Sequence, residues 1–228
     1  MYKKFIIYNI LALFLSPCLL YAGPWIQSSP YNQYDNLAIK SDIDLLSSYG
    51  IIKSPVLTWP ISWDNIGPSL VNDEAQKLVK KSPMMVINAW ERLINLYHSS
   101  TQKRSPQVST YISAGGNINP FRTFEWQPRS DFEGGVSIEN QNHIFAANVS
   151  VNYGDYEDLT QPVHFENSYL YLFLGNWGLG VEKVNKWWSP AYSDSLILSA
   201  NAPPLPSLTL QRMKAEPFQS KWLKWIGP

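Results

Sequence analysis

A segment near the end of the chain places two tryptophans beside a tyrosine and several planar polar side chains. Flat aromatic rings stack on the apolar C–H faces of sugar rings, whereas carboxylate, amide and guanidinium groups reach the sugar hydroxyls. The segment therefore predicts a glycan-binding surface. Its candidate residues are the three aromatic side chains and the three polar ones nearest to them: Trp187, Trp188, Tyr192, Asp194, Asn201 and Arg212.

The three aromatic residues also fit a purely structural role. Tryptophan and tyrosine are enriched where a membrane protein meets the lipid–water boundary, and large rings also fill the space inside loops. Trp187, Trp188 and Tyr192 would then form part of such a girdle or pack a loop within a barrel. Both interpretations stay open on the residues alone.

Residues typical of catalysis are scattered and form no known motif. The three histidines, His98, His143 and His164, lack metal-binding spacing, and no G-x-S-x-G sequence occurs. Enzymes that cleave polysaccharides use pairs of carboxylates. Acidic residues do cluster, but solvated loops explain both groups better: Glu125, Asp131 and Glu133, and Asp155, Glu157 and Asp158. We therefore predict no catalytic residue, no metal site and no cofactor.

The charge balance excludes one class of partner and hints at another. The 228 residues contain 18 basic and 18 acidic side chains, so the chain has no electrostatic footprint for nucleic acid. Charged residues make up 16%, against about a quarter in a typical water-soluble domain. This deficit indicates a surface that does not face water everywhere.

The first residues predict export. Residues 1–22 combine Lys3 and Lys4, a short apolar run and a small residue, Ala22, at a cleavage site. Removing this signal peptide also removes Cys18, the single cysteine, which excludes disulfides and thiol catalysis. No later stretch approaches the ~20 apolar residues of a membrane-spanning helix. These features suit the envelope of a Gram-negative bacterium.

Two regions with different periodicities follow the signal peptide. Residues 23–106 carry apolar residues at helical spacing and predict a bundle of three short amphipathic helices, at about 39–49, 70–81 and 82–97. After Pro106 apolar and polar residues alternate with period two. The predicted fold class is α+β leaning towards all-β, with the helices before an antiparallel sheet.

The alternating segments fit an outer-membrane β-barrel. They are about ten residues long, and in a barrel the apolar face meets lipid while the polar face lines the lumen. Aromatic residues near strand ends would lie at the membrane interfaces: Phe132, Tyr153, Tyr169 and Trp177. A secreted β-sandwich shows the same alternation and is the alternative fold.

Three aromatic–proline stretches resemble the capsule assembly Wzi family. They run from Leu45 to Trp63, from Trp187 to Arg212, and from Trp222 to Pro228. The resemblance implies an outer-membrane barrel with a helical bundle on its periplasmic side, and a lectin-like role in holding exported polysaccharide. Residues 107–228 would then be the barrel part, with a Trp/Pro-rich loop at 186–207.

The strand number predicts that this chain is a fragment of a longer barrel. We count six or so strands after Gln107, whereas family members are about twice as long and the smallest bacterial barrels have eight strands. An open sheet edge in lipid leaves backbone groups unpaired at a cost of several kcal/mol each.

The resulting hypothesis is a binding protein, not an enzyme. It would hold capsular or other exported polysaccharide at the cell surface, with outer-membrane lipid around it. A porin-like channel is the alternative, although such a pore would need rings of lumen charges. A polysaccharide-cleaving enzyme is a further alternative that requires a carboxylate pair.

Overall fold

The structure is a computed structural model, and it describes most of the chain after the predicted signal peptide. The described residues are 25–32, 35–101, 106–116, 119, 121–142, 144–155, 161–195, 197–198, 200–218 and 224. The predicted signal peptide, residues 1–22, and all of the 222–228 motif except Lys224 lie outside them. Within the described ranges, no helix combines the length and apolar character needed to cross a membrane.

The first region is mainly helical. Its helices are α1 (Asn36–Ser48), α2 (Trp63–Val71), α3 (Asp73–Val79) and α4 (Met84–Thr101). Three two-residue strands accompany them: β1 (Trp25–Ile26), β2 (Thr58–Trp59) and β3 (Ile61–Ser62). Strand β1 pairs antiparallel with β3.

The described residues of this region form four helices, so the predicted three-helix bundle is not confirmed. The sequence prediction assigned Leu70 and Val71 to the same helix as Val79, because apolar spacing continues across them. Asn72 interrupts that helix, since its backbone is extended at ψ 154° and its side chain accepts a hydrogen bond from the Ala75 N–H at 2.6 Å. A capping asparagine therefore ends one helix and begins the next.

The helical region has a conventional hydrophobic core. Apolar side chains from the helices are almost fully buried there: Ile43, Leu46, Ile66, Leu70, Val86, Ala89 and Leu93, each 0–1% exposed. Two aromatic residues from later in the chain, Phe124 and Trp187, belong to the same cluster. The helices alone therefore do not complete this core.

The second region is an antiparallel sheet of seven strands. They are β4 (Gln107–Ala114), β5 (Phe132–Gln141), β6 (Phe145–Gly154), β7 (Val163–His164), β8 (Ser168–Leu174), β9 (Trp177–Lys183) and β11 (Ser207–Arg212). The order across the sheet is β11-β9-β8-β6-β5-β4, and β7 pairs with β6. A further short strand, β10 (Trp187–Trp188), pairs with β2. Within the described residues the sheet is open, with β4 and β11 at its edges.

The two faces of the sheet show the predicted alternation. Apolar side chains on one face are exposed by about two-fifths or more: Val108, Ile112, Val136, Ile138, Val149, Val151, Leu170, Leu172, Leu179, Val181, Leu208 and Leu210. Polar side chains on the other face are buried: Glu133, Ser137, Asn148, Ser150, Asn152 and Glu182. The sheet therefore buries its polar face and exposes its apolar face.

Polar side chains on the buried face of the sheet form hydrogen bonds with neighbouring protein groups. The Ser137 hydroxyl donates to Asn148 Oδ1 at 2.7 Å, and Asn148 Nδ2 donates to Ser150 Oγ at 3.1 Å. Glu133 accepts from the Tyr111 hydroxyl at 3.0 Å and from the Arg129 N–H at 2.8 Å. The expectation of a solvated loop is therefore wrong for Glu133, which is 2% exposed on β5.

Three of the four aromatic residues predicted for the membrane interfaces lie on the exposed face. Phe132, Tyr153 and Trp177 are 55%, 57% and 40% exposed. The prediction is wrong for Tyr169, which is 6% exposed and donates its hydroxyl to Glu139 Oε1 at 2.6 Å. Tyr169 precedes Leu170 on the same strand, and adjacent strand residues point to opposite faces.

Candidate functional site

The adjacent tryptophans lie on a two-residue strand that joins the two regions. Strand β10 pairs antiparallel with β2, with Trp187 opposite Trp59 and Trp188 opposite Thr58. Successive side chains of a strand point to opposite sides. The two indole rings therefore lie in different environments.

Trp187 packs inside the molecule. Its side chain is 4% exposed, and its Nε1–H donates to the Ala191 carbonyl at 3.0 Å. Its ring meets Phe124 edge-on at 6.0 Å between centroids, and Phe124 meets Trp59 at 4.8 Å. Such edge-to-face pairs stabilise a core beyond the area they bury. In this conformation the Trp187 ring presents no free face to a ligand.

Trp188 lies in the wall of a cleft of about 380 Å³ between the helical region and the edge of the sheet. Its ring is 44% exposed. The cleft is also lined by Trp25, Thr58, Trp59, Pro60, Glu182, Lys186, Leu208, Thr209, Leu210 and Gln211. It therefore combines indole rings with hydroxyl, amide, carboxylate and ammonium groups.

A hydrogen-bond network fixes the charged side chains of the cleft. Lys186 Nζ lies 2.8 Å from Glu182 Oε1 and donates to Thr209 Oγ1 at 3.3 Å. The Thr209 hydroxyl in turn donates to Glu182 Oε1, and the Tyr171 hydroxyl donates to Glu182 Oε2 at 2.6 Å. Glu182 is 5% exposed, so its carboxylate is buried among three donors.

Tyr192 is tied to helix α1. Its hydroxyl donates to Asp44 Oδ2 at 2.7 Å, and Lys40 Nζ lies 4.5 Å from the centre of its ring. Burial, and after it the hydrogen bond to Asp44, raises the pKa of Tyr192 to about 12. Lys40 is itself fully buried and also donates to the Pro190 carbonyl at 3.3 Å. The ammonium covers one face of the tyrosine ring and leaves it 38% exposed.

The three predicted polar residues occupy separate places. Asp194 is exposed and accepts a 3.4 Å hydrogen bond from Ser193. Asn201 uses its Oδ1 to accept from the Arg122 N–H at 2.8 Å. Arg212 donates to the Glu216 carbonyl at 2.5 Å and lies against the ring of Phe218.

The structure therefore does not gather the six predicted residues into one cluster. No hydrogen bond or ring contact joins any two of them, and all six lie in the described part of the chain. Trp188 is the one that lines the cleft. The assignment of all six to glycan binding stays a prediction.

Several residues of the cleft were not predicted from the sequence. Trp25 and Thr58 come from the helical region, and Gln211 comes from the last described strand of the sheet. Pairing of β10 with β2 places Thr58 opposite Trp188, and such long-range pairing has no local sequence signal. Among the described residues, no group of three or more His, Cys, Asp or Glu side chains could hold a metal ion.

Comparison with known proteins gives a consistent assignment. Residues 121–228 match the family model of capsule assembly protein Wzi. The chain is 24% identical over 192 residues to an uncharacterized 55.8 kDa protein in the cps region of Klebsiella pneumoniae. It also resembles the solved structure of Wzi, described as an outer membrane protein involved in group 1 capsule assembly in Escherichia coli and as a carbohydrate-binding β-barrel. That likeness has a TM-score of 0.68 at 21% identity.

The matches differ in how much of each protein they cover. The Klebsiella alignment spans 83% of this chain but 36% of the relative, and the structural match spans 90% of this chain but 44% of Wzi. The chain therefore has less than half the length of both proteins. The similarity to Wzi shows that the described residues have the fold of part of a β-barrel protein. The predicted resemblance to the Wzi capsule assembly family is confirmed over residues 121–228, which match the model of that family.

Proposed function

We propose that this chain forms part of an outer-membrane, lectin-like barrel that holds capsular or other exported polysaccharide at the cell surface. The solved relative is described as a carbohydrate-binding β-barrel of the outer membrane, involved in capsule assembly. The Klebsiella relative is encoded in a cps region. Both descriptions support the same role for this chain.

The sheet supports an outer-membrane location. Its exposed face carries apolar side chains such as Ile112, which is 80% exposed, and Leu208, which is 75% exposed. In water these side chains would cost free energy in proportion to their apolar area, whereas lipid accepts them. Outer-membrane lipid is therefore the proposed medium around this face.

The cleft beside Trp188 is the observation that carries the proposed binding role. Its exposed indole ring offers a flat apolar surface, and Thr58 and Gln211 offer neutral hydrogen-bonding groups beside it. A pyranose ring has one matching apolar face and a rim of hydroxyls. Trp188 would stack on the sugar, while the neutral groups would bind its hydroxyls.

We propose binding without cleavage. Glycoside hydrolases place two carboxyl groups across the scissile bond, one as acid and the other as base or nucleophile. The described lining of the cleft contains one carboxylate, Glu182, and it already accepts from Tyr171, Thr209 and Lys186. A sugar held in this cleft would therefore not meet a carboxylate pair.

The test compares two tryptophans of similar exposure, one in the wall of the cleft and one outside it. Trp188→Ala removes the ring in the cleft, and Trp177→Ala removes a ring that is 40% exposed on the apolar face. A stacking contact worth about 1 kcal/mol predicts a roughly fivefold loss of polysaccharide affinity for Trp188→Ala. Affinity would be measured with the full-length gene product in detergent, and capsule retention would be measured on cells.

The control separates binding from folding. Trp177→Ala should leave polysaccharide affinity within twofold of the unmodified protein, since its ring does not line the cleft. Both variants must keep their heat-modifiable mobility on gels. Correctly folded Trp188→Ala protein with full affinity and fully retained capsule would refute the proposed site.

A further inference from the structure

The charge of the Trp188 cleft is balanced internally. Its lining contains one acidic and one basic side chain, Glu182 and Lys186. Their charged atoms lie 2.8 Å apart, and the Glu182 side chain is 5% exposed whereas that of Lys186 is 27% exposed. The cleft therefore presents no net charge to a ligand.

A negatively charged sugar would upset this balance. Its carboxylate would have to share the single ammonium of Lys186 with the carboxylate of Glu182, which would leave one net negative charge in a partly buried site. Like charges repel strongly where water is scarce, and desolvating a further carboxylate is costly. The cleft therefore disfavours the binding of anionic groups.

A neutral sugar meets no such penalty. An ammonium has three N–H donors, and within the described part of the chain Lys186 contacts Glu182 and Thr209, which leaves one donor for a hydroxyl. Thr58 and Gln211 add further neutral groups at the cleft wall. Hydroxyls can bind to all of these groups without moving a charge.

We propose that the cleft binds neutral, hydroxyl-rich sugar units of the polysaccharide and disfavours carboxylated ones, with Glu182 as the residue that sets this specificity. Glu182 acts by neutralising Lys186, not by contacting the sugar. The inference deepens the proposed function and rests on it. An acidic unit of the same polymer would lie outside this cleft.

The first experiment varies the charge of one polysaccharide backbone. Surface polysaccharide from the cells that make this protein would be used as isolated, after chemical reduction of its carboxylates to alcohols, and after carboxymethylation. Affinity for the full-length protein would be measured between 20 mM and 500 mM NaCl. We expect the reduced form to bind at least as well as the isolated form, with less than twofold dependence on salt, and carboxymethylation to weaken binding tenfold or more.

The second experiment removes the neutralising charge. Glu182→Gln removes the negative charge that neutralises Lys186. The carboxymethylated polymer should therefore bind at least tenfold more tightly to this variant than to the unmodified protein. That binding should weaken as salt is raised. Glu74→Gln is the matched control, because it makes the same chemical change at an exposed ion pair with Lys53 in the helical region. It should not alter the preference.

The outcomes distinguish the two proposals. If none of the three polymer forms binds, the proposed function fails and this inference fails with it. If the polymer binds but carboxylate reduction weakens binding tenfold, or salt steadily removes binding to the unmodified protein, the proposed function stands and neutral specificity is refuted. If Glu182→Gln behaves like Glu74→Gln, Glu182 does not set the specificity.

Discussion

The helical region and the sheet bury opposite kinds of side chain. In the helices Ile43 and Leu46 are both 0% exposed, as in any water-soluble core. In the sheet Ile112 and Leu208 are 80% and 75% exposed, while Glu133 is 2% exposed. The helical region thus buries apolar side chains, whereas the sheet buries polar side chains and exposes apolar ones.

The same rule of burial explains both regions if their surroundings differ. A side chain is buried when the medium outside accommodates it less well than the interior does. The helices bury their apolar residues, which is the arrangement that water as the surrounding medium favours. The exposed face of the sheet is proposed to meet lipid, which accepts Ile112 but would not solvate Glu133. The polar residues therefore turn inwards and bind to one another, as Ser137 does to Asn148.

The largest expected effect concerns the exposed apolar face as a whole. If lipid covers it, the full-length protein should fractionate with outer membranes, require detergent for extraction and run heat-modifiably on gels. Fractionation and gel mobility with and without boiling measure this directly. Recovery of a soluble periplasmic monomer without detergent would show that the exposed face of the sheet does not meet lipid.

The second prediction applies the same truncation to both regions. Leu46→Ala in the helical core should lower the free energy of unfolding by about 2–5 kcal/mol, because it removes buried contacts and leaves a cavity. Leu172→Ala on the exposed face, where the leucine is 50% exposed, should cost less than about 1 kcal/mol in detergent. Denaturant titration of both variants in the same detergent gives the comparison. Equal losses would show that Leu172 is packed against protein.

The third prediction replaces a polar residue by an apolar one on each face of the sheet. Glu133→Leu should cost about 1–3 kcal/mol, because the Arg129 N–H loses its acceptor inside the protein. Thr110→Val, on the exposed face opposite Val136, should be neutral or slightly stabilising in detergent. Denaturant midpoints measure both. Stabilisation by Glu133→Leu would show that the hydrogen bonds to Glu133 contribute no net stability.

The alternation of apolar and polar residues in the sheet was predictable because successive side chains of every strand point to opposite faces. Val149 and Val151 alternate with Ser150 and Asn152 in the sequence, and the structure exposes the first pair and buries the second. Tyr169 was wrongly predicted to lie at the membrane interface because it is near a strand end. Its position next to the exposed Leu170 places it on the opposite, buried face. The helix boundary at Asn72 was missed for a related reason, since apolar spacing alone does not mark a cap.

The site was only partly predictable. The sequence singled out Trp188, whose ring and neighbours are unusual in composition. It could not separate Trp188 from Trp187, because the pair was interpreted as loop and not as strand. Trp25 and Thr58 reach the cleft through pairing with distant residues, and Glu182 reaches it through its position on β9. These partners depend on tertiary topology, which no local pattern encodes.

The pairing of β10 with β2 also has a consequence for the order of folding. Trp187 completes the hydrophobic cluster of the helical region, and Tyr192 binds to Asp44 from 148 residues away. Closing such a long loop costs conformational entropy before its contacts form, which slows folding. The helices precede the strands in the chain, so their core lacks Trp187 until strands β4 to β9 have also been synthesised. The helical region can therefore complete its core only after β10, which carries Trp187, has been synthesised.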